Sequence, residues 1–244
     1  MDRMIYLGMT GAKTNMQRQD VLANNLANVS TTGFRAELQA VRAVPVRGDG
    51  ASTRVYALET TVGYDDAAGP VTFTGRPLDV AIQGKAWMGV QGLDGTEAYT
   101  RFGALTTSSD GTLMTQNGLT VMGDGGPITL PANTTPSIAP DGTVSATAAN
   151  GRTTAVGKIK LVTPENKLVR GDDGLFRSPD GTELQADPLA RLQDRSLEGS
   201  NVNPIENMVA MIAAARQFET QMKLIQTAEA DEKAASQLLS NNGA

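Results

Sequence analysis

The 244-residue chain holds no histidine and no cysteine, carries a net charge of −5, and has few aromatic side chains. That composition removes the usual general base near neutral pH, the thiolate nucleophile and the main ligands of zinc, copper and iron–sulfur sites. Without basic surplus or stacking aromatics nucleic acid is not an expected partner, and no catalytic, cofactor or metal site is expected.

Ile5, Met9, Ala12, Met16, Gln19, Ala23 and Leu26 recur at alternating steps of three and four, the spacing of one helix stripe. Ser30-Thr31-Thr32-Gly33 breaks the pattern. Gly8 and Gly11 lie inside it, and each costs roughly 0.8–1.0 kcal/mol relative to alanine in a helix interior. The first helix is therefore expected to be marginal in a free monomer. Met4-Ile5-Tyr6-Leu7, following Arg3, is too short for the apolar part of a secretory signal.

Residues 36–60 lack clear periodicity, with Arg42, Arg47 and Arg54 spaced among Val, Pro and Gly, and the segment 36–75 reads as an extended or flexible connector, with an ordinary solvated loop as the alternative. From 76 to 199 short β-favouring runs take over, such as Asp79-Val80-Ala81-Ile82, Gly118-Leu119-Thr120-Val121-Met122 and Lys158-Ile159-Lys160-Leu161-Val162. Close punctuation by Gly, Pro, Asn and Asp predicts an antiparallel sandwich or barrel. Ser109-Asp110-Gly111-Thr112, Pro140-Asp141-Gly142-Thr143 and Pro179-Asp180-Gly181-Thr182 read as hairpin turns in which both central residues favour positive φ. Their aspartates, with Asp172-Asp173-Gly174, also admit a calcium or carboxylate-hydrolase reading, but none has the alternating ligand loop of an EF-hand. Trp87 is either a core anchor or an interface aromatic; with Tyr99 it admits a glycan- or peptidoglycan-binding module.

In the last segment, 200–244, Met208, Met211, Ala215, Phe218, Met222 and Ile225, then Ser236 and Leu239, form a second stripe. Asn203-Pro204-Ile205-Glu206 marks its start as cap, first helical position and reaching-back acid, and Asn241-Asn242-Gly243 its stop. Glu219 with Lys223 and Glu229 with Lys233 are helix-supporting pairs on the solvent side. The run Met208 to Ala215 is far short of a membrane span, so no membrane insertion is expected. The fold class is α+β, with terminal helices (1–35 and 200–244) forming a coiled-coil-type helical domain around a mainly antiparallel β-domain (76–199). Packing of both helices on the β-domain is the alternative, and a stripe roughly 50 Å long weighs against it.

The run Ala23-Asn24-Asn25-Leu26-Ala27-Asn28-Val29-Ser30-Thr31-Thr32-Gly33-Phe34-Arg35 closely resembles the N-terminal signature of bacterial flagellar rod and hook proteins. Leu78-Asp79-Val80-Ala81-Ile82-Gln83-Gly84 and Tyr99-Thr100-Arg101-Phe102-Gly103 are similar to its β-domain motifs. Leu197-Glu198-Gly199-Ser200-Asn201-Val202-Asn203-Pro204 with Arg216-Gln217-Phe218-Glu219 resembles its C-terminal signature. Within the family, Trp87, Gly123-Asp124-Gly125-Gly126-Pro127-Ile128 and Gln237-Leu238-Leu239-Ser240 look like a proximal-rod rather than a distal-rod member; Ala86 departs from a frequent glycine.

The resemblance implies a structural subunit of the basal-body rod in the periplasm, transmitting motor torque to the hook. It implies other rod subunits as partners, and the flagellar type III export apparatus as the route, without a cleaved signal. It also implies terminal helices packed between subunits, which puts Ile5, Met9, Met16, Leu26, Met208, Met211, Phe218, Met222 and Ile225, with Asn24, Asn25, Asn28 and Phe34, at the subunit interface. Local capping of the helix end is the alternative role for the three asparagines.

Overall fold

The computed structural model describes residues 4–45 and 55–241, which fall into two units. One consists of Met1–Val29, Ala36–Tyr64 and Val202–Ala244; the other of Ser30–Arg35 and Asp65–Asn201.

The first unit is built on two helices, α1 (Met4–Ala27) and α2 (Pro204–Asn241). The start of α2 follows the sequence: Asn203 Oδ1 accepts from the amides of Ile205 (3.1 Å) and Glu206 (3.3 Å), and Pro204 opens the helix. Of the expected stop, Asn242 and Gly243 lie outside the described residues. The helices pack antiparallel, since Gly8 faces Ile225 and Gly11 faces Gln221. A Cβ at Gly8 would stand 2.8 Å from Ile225 Cγ1, so the glycines that weaken α1 as an isolated helix are what let α2 approach it.

The expected stripes are corrected in detail. The row that α1 turns inward is Ile5, Gly8, Ala12, Asn15, Leu22 and Asn25, while Met9, Met16 and Ala23 are exposed. On α2 the inward row is Asn207, Met211, Ala214, Phe218, Gln221, Ile225 and Ala228, in an unbroken four-three alternation; Met208 and Met222 are exposed. Gly8, Ala12, Ala214 and Ala228 and the amides of Asn15, Asn25, Asn207 and Gln221 share these two rows with Ile5, Leu22, Met211, Phe218 and Ile225, while Met9, Met16, Met208 and Met222 lie one residue further round. The side chains of Ser236 and Leu239 lie outside the description.

Inside the stretch expected to be a connector, β1 (Glu37–Pro45) and β2 (Val55–Tyr64) pair as an antiparallel hairpin with a bulge between Ala40 and Val41. The hairpin packs on α1. Asn25, buried, accepts from the Glu37 amide (2.8 Å) and donates to the Glu37 carbonyl (3.0 Å), completing the pairing capacity of the strand's first residue. Arg47 and Arg54 lie outside the described residues, and Arg42 is exposed.

The second unit contains β3 (Val71–Phe73), β4 (Val80–Ile82), β5 (Trp87–Gln91), β6 (Glu97–Thr100), β7 (Leu105–Thr107), β8 (Leu113–Thr115), β9 (Thr120–Gly123) and β10 (Gly126–Pro127). There follow β11 (Thr134–Ile138), β12 (Thr143–Ala148), β13 (Thr153–Lys158), β14 (Leu161–Val162), β15 (Val169–Arg170), β16 (Phe176–Arg177), β17 (Leu192–Asp194) and β18 (Ser196–Glu198). Every strand pair among the described residues is antiparallel. The main sheet runs β15-β16-β6-β5-β9-β8-β7, with β10 on β9 and β14 on β5; β11-β12-β13, β17-β4 and β18-β3 form small sheets beside it. Val80, Met88, Val90, Leu113, Val121 and Leu192 lie in one buried cluster.

Asp-Gly pairs do turn the chain, but not as expected. In the turns closed by Gly111 and Gly142 only the glycine takes positive φ (84° and 88°), and its amide bonds back to Ser108 (3.0 Å) and Ala139 (2.9 Å). The aspartate thus sits at the third position of an ordinary turn and the glycine follows it in the left-handed region. Asp141 Oδ1 then accepts from the Thr143 amide at 3.0 Å. Gly181 closes the same kind of turn, yet no strand follows it before β17.

Candidate functional site

Two arrangements stand out, one in each unit. On the helix pair, Tyr6, Met9, Lys13 and Met16 each stand one position after the inward row of α1; Met208, Ile212, Ala215, Glu219 and Met222 do the same on α2. One residue turns a helix by 100°, and because the two helices run in opposite directions both turns lead to the same side of the pair. Met9 (56% exposed), Met16 (54%), Met208 (50%) and Ile212 (56%) consequently share one face, left uncovered within the chain. Unbranched thioether side chains adapt to uneven partners, and a helix pair showing them to solvent has an unused apolar surface.

The second arrangement lies inside the β unit. Glu198, 1% exposed, is held between two equally buried arginines: Arg35 NH2 at 2.8 Å from Oε1, and Arg101 Nε and NH2 at 2.8 and 2.7 Å from Oε2. The Gly69 amide also donates to Oε1 at 3.0 Å. Arg101 spends its remaining N–H groups on the carbonyls of Gly84 (3.0 Å), Ala86 (2.6 Å) and Ile82 (2.5 Å), and Arg35 NH1 donates to the Ala67 carbonyl. Burial pushes the Arg101 guanidinium below its ordinary range, against the opposing pull of the Glu198 charge, with Arg35 adding repulsion. Two cations and one anion out of water are tolerable only because nearly every donor is met.

Around this cluster the signature segments, far apart in sequence, converge. Gly33 donates its amide to the Glu198 carbonyl (2.8 Å), and Asn201 donates its own to the Phe34 carbonyl (3.3 Å). Gly103 sits so close to Val80 that a Cβ there would fall 1.7 Å from its carbonyl oxygen. Composition and periodicity gave no hint that Arg35, Arg101 and Glu198 meet; the signal was their place inside the three motifs.

The expected interface residues thus divide. Met9, Met16, Met208 and Met222 are on the outward face; Ile5, Met211, Phe218 and Ile225 turn inward between the helices, and Leu26 is half-buried. Asn25 is bound to the hairpin, Asn24 Nδ2 reaches Glu37 Oε2 (3.2 Å), and Asn28 Nδ2 donates to the Asn24 carbonyl (2.9 Å) and Oδ1 (2.7 Å). Phe34 is buried in the β unit with the Arg170 guanidinium 4.6 Å from its ring centroid. Trp87 is a core anchor, packed on Phe176 with ring centroids 4.5 Å apart. Tyr99 is likewise buried, its phenol pushed up by desolvation and its oxygen accepting from the Leu184 amide at 2.6 Å. Neither ring is on the surface, which takes away both stacking platforms of the glycan reading. Among the described residues no helix is long and apolar enough to cross a membrane, and no group of three or more acids could hold a metal ion.

Residues 5–35 match the family described as "Flagella basal body rod protein", 81–146 the "Flagellar hook protein FlgE/F/G D1 domain", and 193–238 the "Flagellar basal body rod FlgEFG protein C-terminal". The chain is 46% identical over 250 residues to "Flagellar basal-body rod protein FlgF" of Salmonella typhimurium, covering 98% of this chain and 99% of that protein. Its counterpart in Escherichia coli is also 46% identical, with the same coverage. "Flagellar basal-body rod protein FlgG" of Bacillus subtilis is 32% identical, covering 93% of this chain and 95% of that protein. With relatives of that identity spanning nearly the whole chain, this protein belongs to the FlgF family of flagellar basal-body rod proteins.

Proposed function

We infer that the chain is a structural subunit of the bacterial flagellar basal-body rod, in its proximal part, and that it carries torque from motor to hook without catalysing a reaction. The observation that carries the reading is the second apolar row on each helix. Met9, Met16, Met208 and Ile212 are left uncovered on one face, as a subunit that completes its helical layer with neighbouring subunits requires. On this reading the helix pair continues into coiled-coil-type packing with rod partners. The identity of 46% to the FlgF proteins of Salmonella typhimurium and Escherichia coli, against 32% to the FlgG protein of Bacillus subtilis, favours the proximal over the distal position.

Export through the flagellar type III apparatus, without a cleaved signal and in a largely unfolded state, completes the proposal. A first helix containing Gly8 and Gly11 suits it, because little helical structure has to be undone. On this reading the rod lies in the periplasm, and the partners of the chain there are other rod and basal-body components.

The test is complementation of a strain lacking this protein with a Met16→Asp/Ile212→Asp variant. Both changes place a charge on the outward face and leave the β unit untouched. Swimming and recovery of the chain in purified basal bodies should both fail, while the purified variant keeps the wild-type Trp87 unfolding transition. Normal swimming would sink the assembly role of this face.

A further inference from the structure

Residues 192–201 are the last part of the β unit to be reached along the chain, and an unusual share of its closure depends on them. β17 pairs with β4 and β18 with β3. Between them Arg195 takes a left-handed φ of 51°, uncommon for a side-chain-bearing residue, and its carbonyl accepts from the amides of Thr74 (2.8 Å) and Gly75 (3.1 Å). Glu198 supplies the acid that neutralises Arg35 and Arg101, while Gly199 donates its amide to the Pro70 carbonyl at 2.8 Å. Asn201 Nδ2 spans the carbonyls of Asp65 (3.1 Å) and Ala67 (2.9 Å). With this segment away, two guanidiniums would lie in the interior with no counter-charge, and β3 and β4 would lose their strand partners.

We propose that residues 192–201 are a closing strap, and that the β unit has no stable folded form until they dock. A chain delivered N-terminus first therefore keeps its first 190 or so residues short of a locked β unit until Glu198 arrives. The two guanidiniums set the threshold: before the strap docks they favour an open, hydrated arrangement, and after it they become interior cross-links. The proposal concerns the folding of the unit alone. Its use during export rests on the rod reading above, but its truth does not.

The test is native-state hydrogen exchange on the full chain across a urea series below the unfolding transition. The amides of Gly33, Gly69 and Gly199 report the strap; those of Leu113 and Lys160, bonded to the Ile128 and Met122 carbonyls at 2.8 and 2.9 Å, report the main sheet. Strap and sheet amides should exchange through one opening, with the same free energy and the same urea dependence. A smaller opening that frees the strap amides while Leu113 and Lys160 stay protected would overturn the proposal. Glu198→Gln in the full chain gives a second reading. Exchange at Leu113 and Lys160 should accelerate roughly 100-fold or more, together with the strap, whereas acceleration confined to residues 192–201 and their partners would again overturn it. Failure of either test leaves the swimming assay of the outward helix face unaffected, so the two readings stand or fall separately.

Discussion

Gly33→Ala isolates what the buried junction demands of the backbone. Gly33 has φ 68°, and a Cβ built there would stand 2.3 Å from the Arg101 carbonyl oxygen and 2.8 Å from the Phe102 nitrogen, where real contacts stay above 3.0 Å. Gly181 has nearly the same φ, 67°, with nothing within 4 Å of its Cβ position. The left-handed conformation alone costs an alanine about 1–2 kcal/mol. At Gly33 the clash adds overpacking of about 1–3 kcal/mol, because the Arg101 backbone cannot retreat while its guanidinium is fastened to Glu198 and three carbonyls. Gly33→Ala should therefore cost roughly 2–5 kcal/mol and Gly181→Ala roughly 1–2 kcal/mol. Urea unfolding followed by Trp87 fluorescence reads both, since the single tryptophan is buried in the same unit. Equal losses in the two variants would show that the contact with Arg101 is not a constraint and would refute the reasoning.

On the helix pair, Gly8→Leu should destabilise the α1–α2 contact by about 1–3 kcal/mol, and Ile225→Ala in the same chain should recover part of that by opening room; circular dichroism at 222 nm during thermal melting checks it, and strictly additive losses would contradict the contact. Asn25→Ala removes the two hydrogen bonds that Asn25 makes to the Glu37 backbone, and should speed exchange of the Glu37 amide and cost about 1–3 kcal/mol in the first unit; an unchanged Glu37 amide would count against the clamp. Asp173 is held below the usual carboxylate range chiefly by its hydrogen bonds from Arg177. Its folded value is depressed, so its contribution is fully present above the unfolded value near 3.9 and lost as pH falls through the folded one. A carboxylate titration by NMR should place Asp173 below that reference, and Arg177→Gln should return it; a titration at or above the reference would refute the assignment.

Much of the architecture was legible because it rests on local chemistry. The cap at Asn203, the proline that follows it and the glycine-punctuated strands are decided within a few residues, and the structure has them where the sequence places them. The helix rows were legible only by half. Apolar residues recur on two adjacent rows of each helix, and a hydrophobicity pattern prefers the row with more methionines, whereas the contact row also includes Gly8, Asn15, Gln221 and Ala228, which such a pattern passes over. The sequence places Asp-Gly at the centre of each turn because both residues tolerate positive φ; only the glycine uses that freedom, and at Asp141 the aspartate one place earlier accepts from the residue after the glycine. The hairpin β1–β2 was hidden because β1 is mostly exposed, without a clean inward–outward alternation, and its first residue is held by a distant asparagine. Nor can any local pattern announce that Arg35, Arg101 and Glu198 meet, when successive members stand 66 and 97 positions apart along the chain.

Phe34, Asp65 and Asn201 stand at or beside places where the chain enters or leaves the β unit, and Asn201 donates hydrogen bonds to the carbonyls of the other two. A unit whose ends are tied at one knot is indifferent to its own girth. Loops between β3 and β17 can lengthen or shrink, or gain a further sheet, without moving the points at which the helical segments are attached.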